Sequence, residues 1–307
     1  MDIATLSTRS RNLGALLEPI AGQVYFSPEC HANYQALGFA GSRGEQDGVA
    51  MPDRAAYFTS RGSVMGQVSG QVVTATFAVF NPAVVIPAVE QGWTLTDAAT
   101  ISDARDRGAI AQLERILGTS PTGIERANEI LLRAFTPLRV EGRALFAGLK
   151  GLQMPTTTIG KLWRLADALR EYRGDSHIAA WVSQGLDLDA VELCLLTDSF
   201  SGLPLRTYSA TRGWRDTDFD PATERLLAKG LLDTKSGTYT EKGRELRELI
   251  EVKTDEQMRQ AIEAIDNDFD ELSGLLAPWG AAIKSAGGYP KMGPHDMALA
   301  AAKSARP

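Results

Sequence analysis

Cysteine and histidine are nearly missing from this chain of 307 residues, with two of the first and three of the second. That scarcity excludes the disulfide framework of small secreted domains and the Cys/His clusters of structural zinc sites. Cys30 and Cys194 stand far apart and in no metal-ligand spacing, so they read as reduced thiols inside a folded protein. Aromatic residues are sparse at 7%, while alanine and leucine are frequent, which favours helices over sheets. No apolar run approaches the roughly 20 residues that a membrane-crossing helix needs. The first residues, Met1 to Asn12, lack the basic-then-apolar order of a secretory leader. A cytoplasmic chain without a membrane partner is therefore expected. Enzyme signatures are missing too: there is no Gly-rich phosphate loop, no Gly-x-Ser-x-Gly elbow and no His-Glu-x-x-His helix.

A basic excess is also lacking. The chain carries 32 Lys and Arg against 38 Asp and Glu, a formal charge of −6. Duplex-binding proteins gain much of their affinity from cations on phosphates. An acidic total removes that argument without forbidding a local basic patch.

What is present is the composition of a packed globular protein, 44% hydrophobic and 23% charged, long enough for two domains. Three short stretches recur in the same order in the two halves. Glu29-Cys30-His31-Ala32 matches Asp175-Ser176-His177-Ile178, and Tyr57-Phe58-Thr59-Ser60-Arg61-Gly62 matches Tyr208-Ser209-Ala210-Thr211-Arg212-Gly213. Phe80-Asn81-Pro82-Ala83 matches Phe219-Asp220-Pro221-Ala222, with Gly92 or Gly230 closing the helix that follows. The order implies an internal duplication.

In the second half, Asp187 or Asp189 caps a helix through Ser199, and a short helix runs from Leu205 to Thr211. After an Arg212-Gly213-Trp214 turn, a further helix is predicted from Thr217 to Lys229, then two short strands around Lys235-Ser236-Gly237, then a long helix. That is the winged-helix order. In the first half, Leu13 to Tyr25 reads as an amphipathic helix, Ser27-Pro28-Glu29 opens another, and Gly41 to Pro52 reads as a loop. Leu95 to Leu117 and Ile124 to Leu149 are expected as packing helices, and Thr158 to Tyr172 as a further helix. The expected fold is mainly α, with two fused winged-helix-like units forming a pseudo-dimer around long helices. Residues 1–150 make the first unit, residues 158–284 the second, and residues 285–307 a mobile tail. Either a monomer or a homodimer fits this plan.

Leu226-Leu227-Ala228-Lys229-Gly230-Leu231-Leu232, followed by Tyr239-Thr240-Glu241-Lys242-Gly243-Arg244-Glu245-Leu246, resembles the MarR-type transcriptional regulators. The likeness runs from Asp187 to Ile265. The whole chain also resembles an actinobacterial family known only as helix-turn-helix, through Pro28-Glu29, Tyr57-Phe58 with Arg61, Arg173-Gly174-Asp175 with His177, and Arg212-Gly213-Trp214. The resemblance implies a regulator's fold, and in MarR-type proteins effectors sit between the wing domain and the dimerisation helices.

The recognition helix that this likeness implies, Arg215 to Lys229, is poorly suited to a groove. It sets Asp216, Asp218, Asp220 and Glu224 against Arg215, Arg225 and Lys229, with the acids at its N-terminal turn. Its first-half counterpart, Val72 to Val89, has no charge, and Val72, Val73, Phe77, Val79, Phe80, Val84, Val85 and Ile86 are expected to be buried. If DNA is bound, Arg225, Lys229, Lys235, Lys242 and Arg244 are the residues to meet it.

Ligand-binding candidates come from the repeated polar stretches. Asp175 can orient His177 beside Arg173 between two helices, although capping by Asp175 and Ser176 explains them as well. Glu29 and His31 hold the matching place, and two such histidines near an internal axis suggest a metal or haem only if they meet. Tyr57 with Arg61 and Tyr208 with Arg212, joined by Trp214 and Trp181, supply hydroxyls and guanidinium forks for an aromatic or acidic small molecule. A salt bridge with ordinary aromatic packing is the competing account. The reading is a small-molecule-binding or sensor protein of regulator ancestry that does not read DNA. A DNA-binding regulator and an enzyme using a polar pocket between the repeats are the alternatives. No cofactor is identified.

Overall fold

The computed structural model describes residues 1–184, 187–234, 236–293 and 296. The chain is mainly helical, as composition implies. None of its described helices is long and apolar enough to cross a membrane.

Helix α1 (Ile3–Gly22) starts where the Asp2 carboxylate accepts the Thr5 N–H at 2.9 Å. It begins well before the expected Leu13, because Asp2 supplies a cap that the apolar pattern does not register. Helix α2 (Pro28–Ala36) opens as expected, with Ser27 accepting the Cys30 N–H and Pro28 in the first turn. The expected loop at Gly41 to Pro52 is instead a hairpin of β1 (Ser42–Gln46) and β2 (Val49–Pro52). Asp47 and Gly48 both take positive φ, 53° and 79°, the geometry an Asp-Gly hairpin turn requires.

Helices α3 (Arg54–Gly62), α4 (Gly70–Phe77) and α5 (Pro82–Leu95) follow. The single apolar helix expected from Val72 to Val89 is thus two helices, broken where Ala78 takes a φ of 46°. Val73, Phe77, Phe80 and Val85 are buried, but Val72 is 45% exposed and Val79, Val84 and Ile86 are half-buried. Gly92 closes nothing: it lies within α5, buried, because a side chain there would collide with Thr59 of α3. Helix α6 (Ala98–Leu117) holds, whereas the span from Ile124 to Leu149 divides into α7 (Ile124–Phe135) and α8 (Ala144–Gly151).

Helix α9 (Thr158–Gln184) runs twelve residues beyond the expected Tyr172. The Arg173 to His177 stretch therefore lies inside a helix rather than between two. Beyond it come α10 (Ala190–Phe200), a one-turn helix at Ser209–Arg212, α11 (Asp216–Ala228) and α12 (Glu241–Gln257). Asp189 caps α10 in a reciprocal box with Glu192, as anticipated. Of the two expected strands, the described residues hold one isolated bridge, Leu232 with Tyr239; Lys235 lies outside the described residues. Helices α13 (Arg259–Ala264) and α14 (Phe269–Ser285) complete the order.

Among the described residues, two apolar clusters form the core. The larger gathers α1 to α8, the first half of α9, and α13 and α14, and ends at Tyr289. Tyr289, within the stretch expected to be mobile, is buried, and its hydroxyl donates to Glu18 at 2.9 Å. The smaller cluster gathers the end of α9, α10, α11, Leu231, Leu232 and Ile250. Ala78 and Val79, from the link between α4 and α5, pack against it. The repeated stretches occupy unlike positions: Asn81 caps α5, whereas Asp220 is inside α11.

Candidate functional site

Helix α9 is buried along most of its length yet rich in charge, so its ionic groups must find partners inside the protein. Asp167 takes two bonds from Arg105, at 2.7 and 3.0 Å, and Arg164 pairs with Asp106. One turn on, Glu171 receives Arg61 of α3 through two bonds of 3.0 and 2.8 Å, and also Arg170 at 2.9 Å. Arg170 reaches back to Glu18 of α1, at 2.7 and 3.0 Å. Burial works against ionisation of Glu171, but Arg61 and Arg170 outweigh it and hold the carboxyl below its usual range.

Around this network stand aromatic rings. The Tyr25 and Tyr57 centroids are 4.8 Å apart, and Tyr57 lies 5.9 Å from Phe80. The Tyr57 hydroxyl accepts from Arg61 at 3.3 Å. The Arg212 guanidinium sits 4.6 Å from the Phe80 ring and 4.2 Å from the ring of Tyr208. The two repeated Tyr–Arg pairs are thus brought to one seam, where the Phe80 ring meets both Tyr57 and Arg212.

Hydrogen bonds to backbone carbonyls tie the two sides of the seam together. Asn81 donates its N–H to the Arg212 carbonyl at 3.0 Å and its side-chain amide to the Gly213 carbonyl at 3.2 Å. The Trp214 indole N–H donates to the Val79 carbonyl at 2.9 Å. Trp181 is not at the seam; its indole donates to the Leu188 carbonyl at 3.2 Å within the smaller core.

Other candidates go elsewhere. Arg173 bonds Glu251 at 2.9 Å and Asp255 at 3.2 Å, and His177 meets Thr254 at 3.2 Å, so both tie α9 to α12. Asp175 accepts the backbone N–H of Phe146 in α8, so its carboxylate serves the first turn of that helix. Glu29 pairs with Arg115, and burial is outweighed by that bond, so its carboxyl lies below the usual range.

His31 is buried, with Nε2 at 3.0 Å from the Tyr25 carbonyl and Nδ1 without a partner among the described residues. It borders, with Tyr34, Asp53, Tyr57 and Ser60, a cavity of about 10 Å³, which is about one water. Burial lowers its pKa. His31 meets Tyr25 and His177 meets Thr254, and no cluster of three metal-ligating side chains occurs among the described residues. Cys30, beside His31, faces the Arg105 carbonyl, and burial pushes its thiol up to about 12.

The basic residues weighed for DNA are largely spent within the chain. Arg225 pairs with Asp189 and Glu192, Lys229 with Glu192 at 2.9 Å, and Arg244 with Glu241. Lys242 donates to the Lys229 carbonyl at 2.8 Å. On α11 itself, Asp216 and Asp220 are exposed and share Arg206.

The residues that the sequence reading did not single out are Glu18, Tyr25, Arg170 and Glu171. A signal existed: α9 carries charges on every side of a segment whose apolar residues also demand burial.

The described elements are mainly helical, as a helix-turn-helix protein requires. The family model described as the Helix-turn-helix family matches residues 10–290, and the chain belongs to that family. No curated protein and no solved structure matches it.

Proposed function

We propose that this chain is a small-molecule sensor of the helix-turn-helix family in which α11 does not read DNA. The observation that carries the reading is the seam where the Phe80 ring meets Tyr57 of one Tyr–Arg pair and Arg212 of the other. A ligand there would touch both apolar clusters at once, because Phe80 belongs to the larger cluster while Val79 and Trp214 pack against the smaller. The stretch from α10 to α12 is read as winged-helix-like and akin to MarR-type regulators. The first half departs from that order, since its hairpin precedes α3.

The acidic face of α11 supports the loss of DNA reading. Four carboxylates would approach phosphates there, while Arg225 and Lys229 are already neutralised. A working regulator is the second reading, favoured by the family itself.

Binding of the full chain to a random duplex library across a salt series separates the two. The sensor reading expects no sequence-selective enrichment even at low salt. Selective enrichment with affinity falling steeply as salt rises would establish the regulator instead.

A further inference from the structure

The geometry points to a small carboxylate as the ligand of the seam, held by the Arg212 guanidinium beside Phe80 and Tyr208; this rests on the sensor reading above. Among the described residues, every other buried or half-buried Arg and Lys has a carboxylate, carbonyl, amide or hydroxyl to donate to. The half-buried Arg212 has no such acceptor, only the two ring faces. A guanidinium presents five N–H donors in its plane, and stacking covers the faces while leaving that edge available.

The nearby carboxylates are committed. Glu171 is held by Arg61 and Arg170. Asp198 accepts from the backbone N–H groups of Arg206, Tyr208 and Ser209 and from the Ser209 hydroxyl, at 2.6 to 3.1 Å. Burial lowers the Arg212 pKa, and the Arg61 and Arg170 charges add to the effect, so the site favours an incoming anion. A monoanion matches the single charge of Arg212. A phosphate dianion would set a second negative charge near Glu171 and Asp198. The Tyr208 hydroxyl, which has no partner among the described residues, offers a further donor at the seam.

Occupancy would be felt across the seam. The Arg212 and Gly213 carbonyls accept from Asn81, and the link that contains Asn81 includes the positive-φ residue Ala78. A carboxylate drawing on Arg212 therefore acts on the peptide that joins the two clusters.

The test is calorimetric titration of the full chain with benzoate, benzamide and inorganic phosphate at constant ionic strength. Saturable binding of one benzoate, with benzamide and phosphate each at least tenfold weaker, is expected. Arg212→Gln should weaken benzoate at least tenfold while leaving the helical circular dichroism unchanged. Equal binding of benzamide or phosphate, or unchanged benzoate binding in Arg212→Gln, overturns the proposal. If that variant does not fold, crystals of the wild type with 4-bromobenzoate decide, by whether the bromine anomalous signal lies beside Arg212 or elsewhere. A neutral compound that binds the seam while benzoate fails would sink the carboxylate and keep the sensor. Failure of both classes together with selective duplex enrichment would sink both.

Discussion

Asp175, in the interior of α9, accepts the backbone N–H of Phe146 at 3.0 Å and so caps α8, a helix to which it does not belong. The residue at the N-cap position of α8, Arg143, supplies no side-chain cap and lies instead over the Tyr172 ring at 4.5 Å. The tertiary contact thus replaces a local one.

Burial of that cap raises the Asp175 carboxyl from 3.8 to about 7. A folded-state pKa above the unfolded one means that the stabilisation is complete below about pH 4 and is lost as pH rises through about 7. Between pH 5 and 8, wild type should lose on the order of 2 kcal/mol more than Asp175→Asn in urea denaturation. Equal losses would assign the pH dependence to other groups, with Asp198 and Asp255 the first to test because burial raises them too.

Arg61 and Glu171 join α3 to α9 by a two-bond pair at 3.0 and 2.8 Å. Arg61→Met should cost about 3 kcal/mol, since it strands part of a buried charge. A double-mutant cycle with Glu171→Gln should return a coupling above about 1 kcal/mol. Additive losses would mean that the pair contributes packing alone.

Gly108 lets α6 approach α2: a Cβ there would stand 2.6 Å from the Cys30 Cα. Gly108→Ala should destabilise by about 1–3 kcal/mol. Gly274→Ala, in α14 with nothing within 4 Å of the new carbon, should be neutral or stabilise by up to about 1 kcal/mol. Chemical denaturation of both variants provides the comparison, and matching losses would refute the steric account.

Lys229 is argued to serve stability rather than DNA. Its ammonium lies 2.9 Å from Glu192, which is 1% exposed. Lys229→Met should lower stability by roughly 1–2 kcal/mol and leave any duplex affinity and its salt slope unchanged. A reduced salt slope in fluorescence anisotropy would restore Lys229 to the DNA-facing set.

Both thiols are buried, and burial pushes each up to about 12. A thiol-reactive dye should label neither Cys30 nor Cys194 in the native protein and both after denaturation. Fast native labelling of either would contradict the packing around it.

Local signals in the sequence were enough for many helices and caps. Asp189 with Glu192, Ser27 with Pro28, and the 3.6-residue spacing of α6 act within a few residues, so their outcome needs no distant partner. The same locality misled at Arg173 to His177. Asp and Ser after a glycine read as a helix start, yet packing of α9 on α1 and α12 carries the helix straight through.

Of the candidate site, the sequence alone supplied Tyr57, Arg61, Tyr208 and Arg212 through their repetition, and Trp214 as the ring beside them. It had no means of supplying Phe80 as the ring that meets both Tyr57 and Arg212, or Glu171 as the carboxylate that engages Arg61 and leaves Arg212 without one. Those assignments depend on which charges meet inside the protein, where the cost of an unpaired ion is highest. Helix content follows from short-range propensity and periodicity, whereas ion pairing in the core follows from contacts more than a hundred residues apart, and only the tertiary structure decides it.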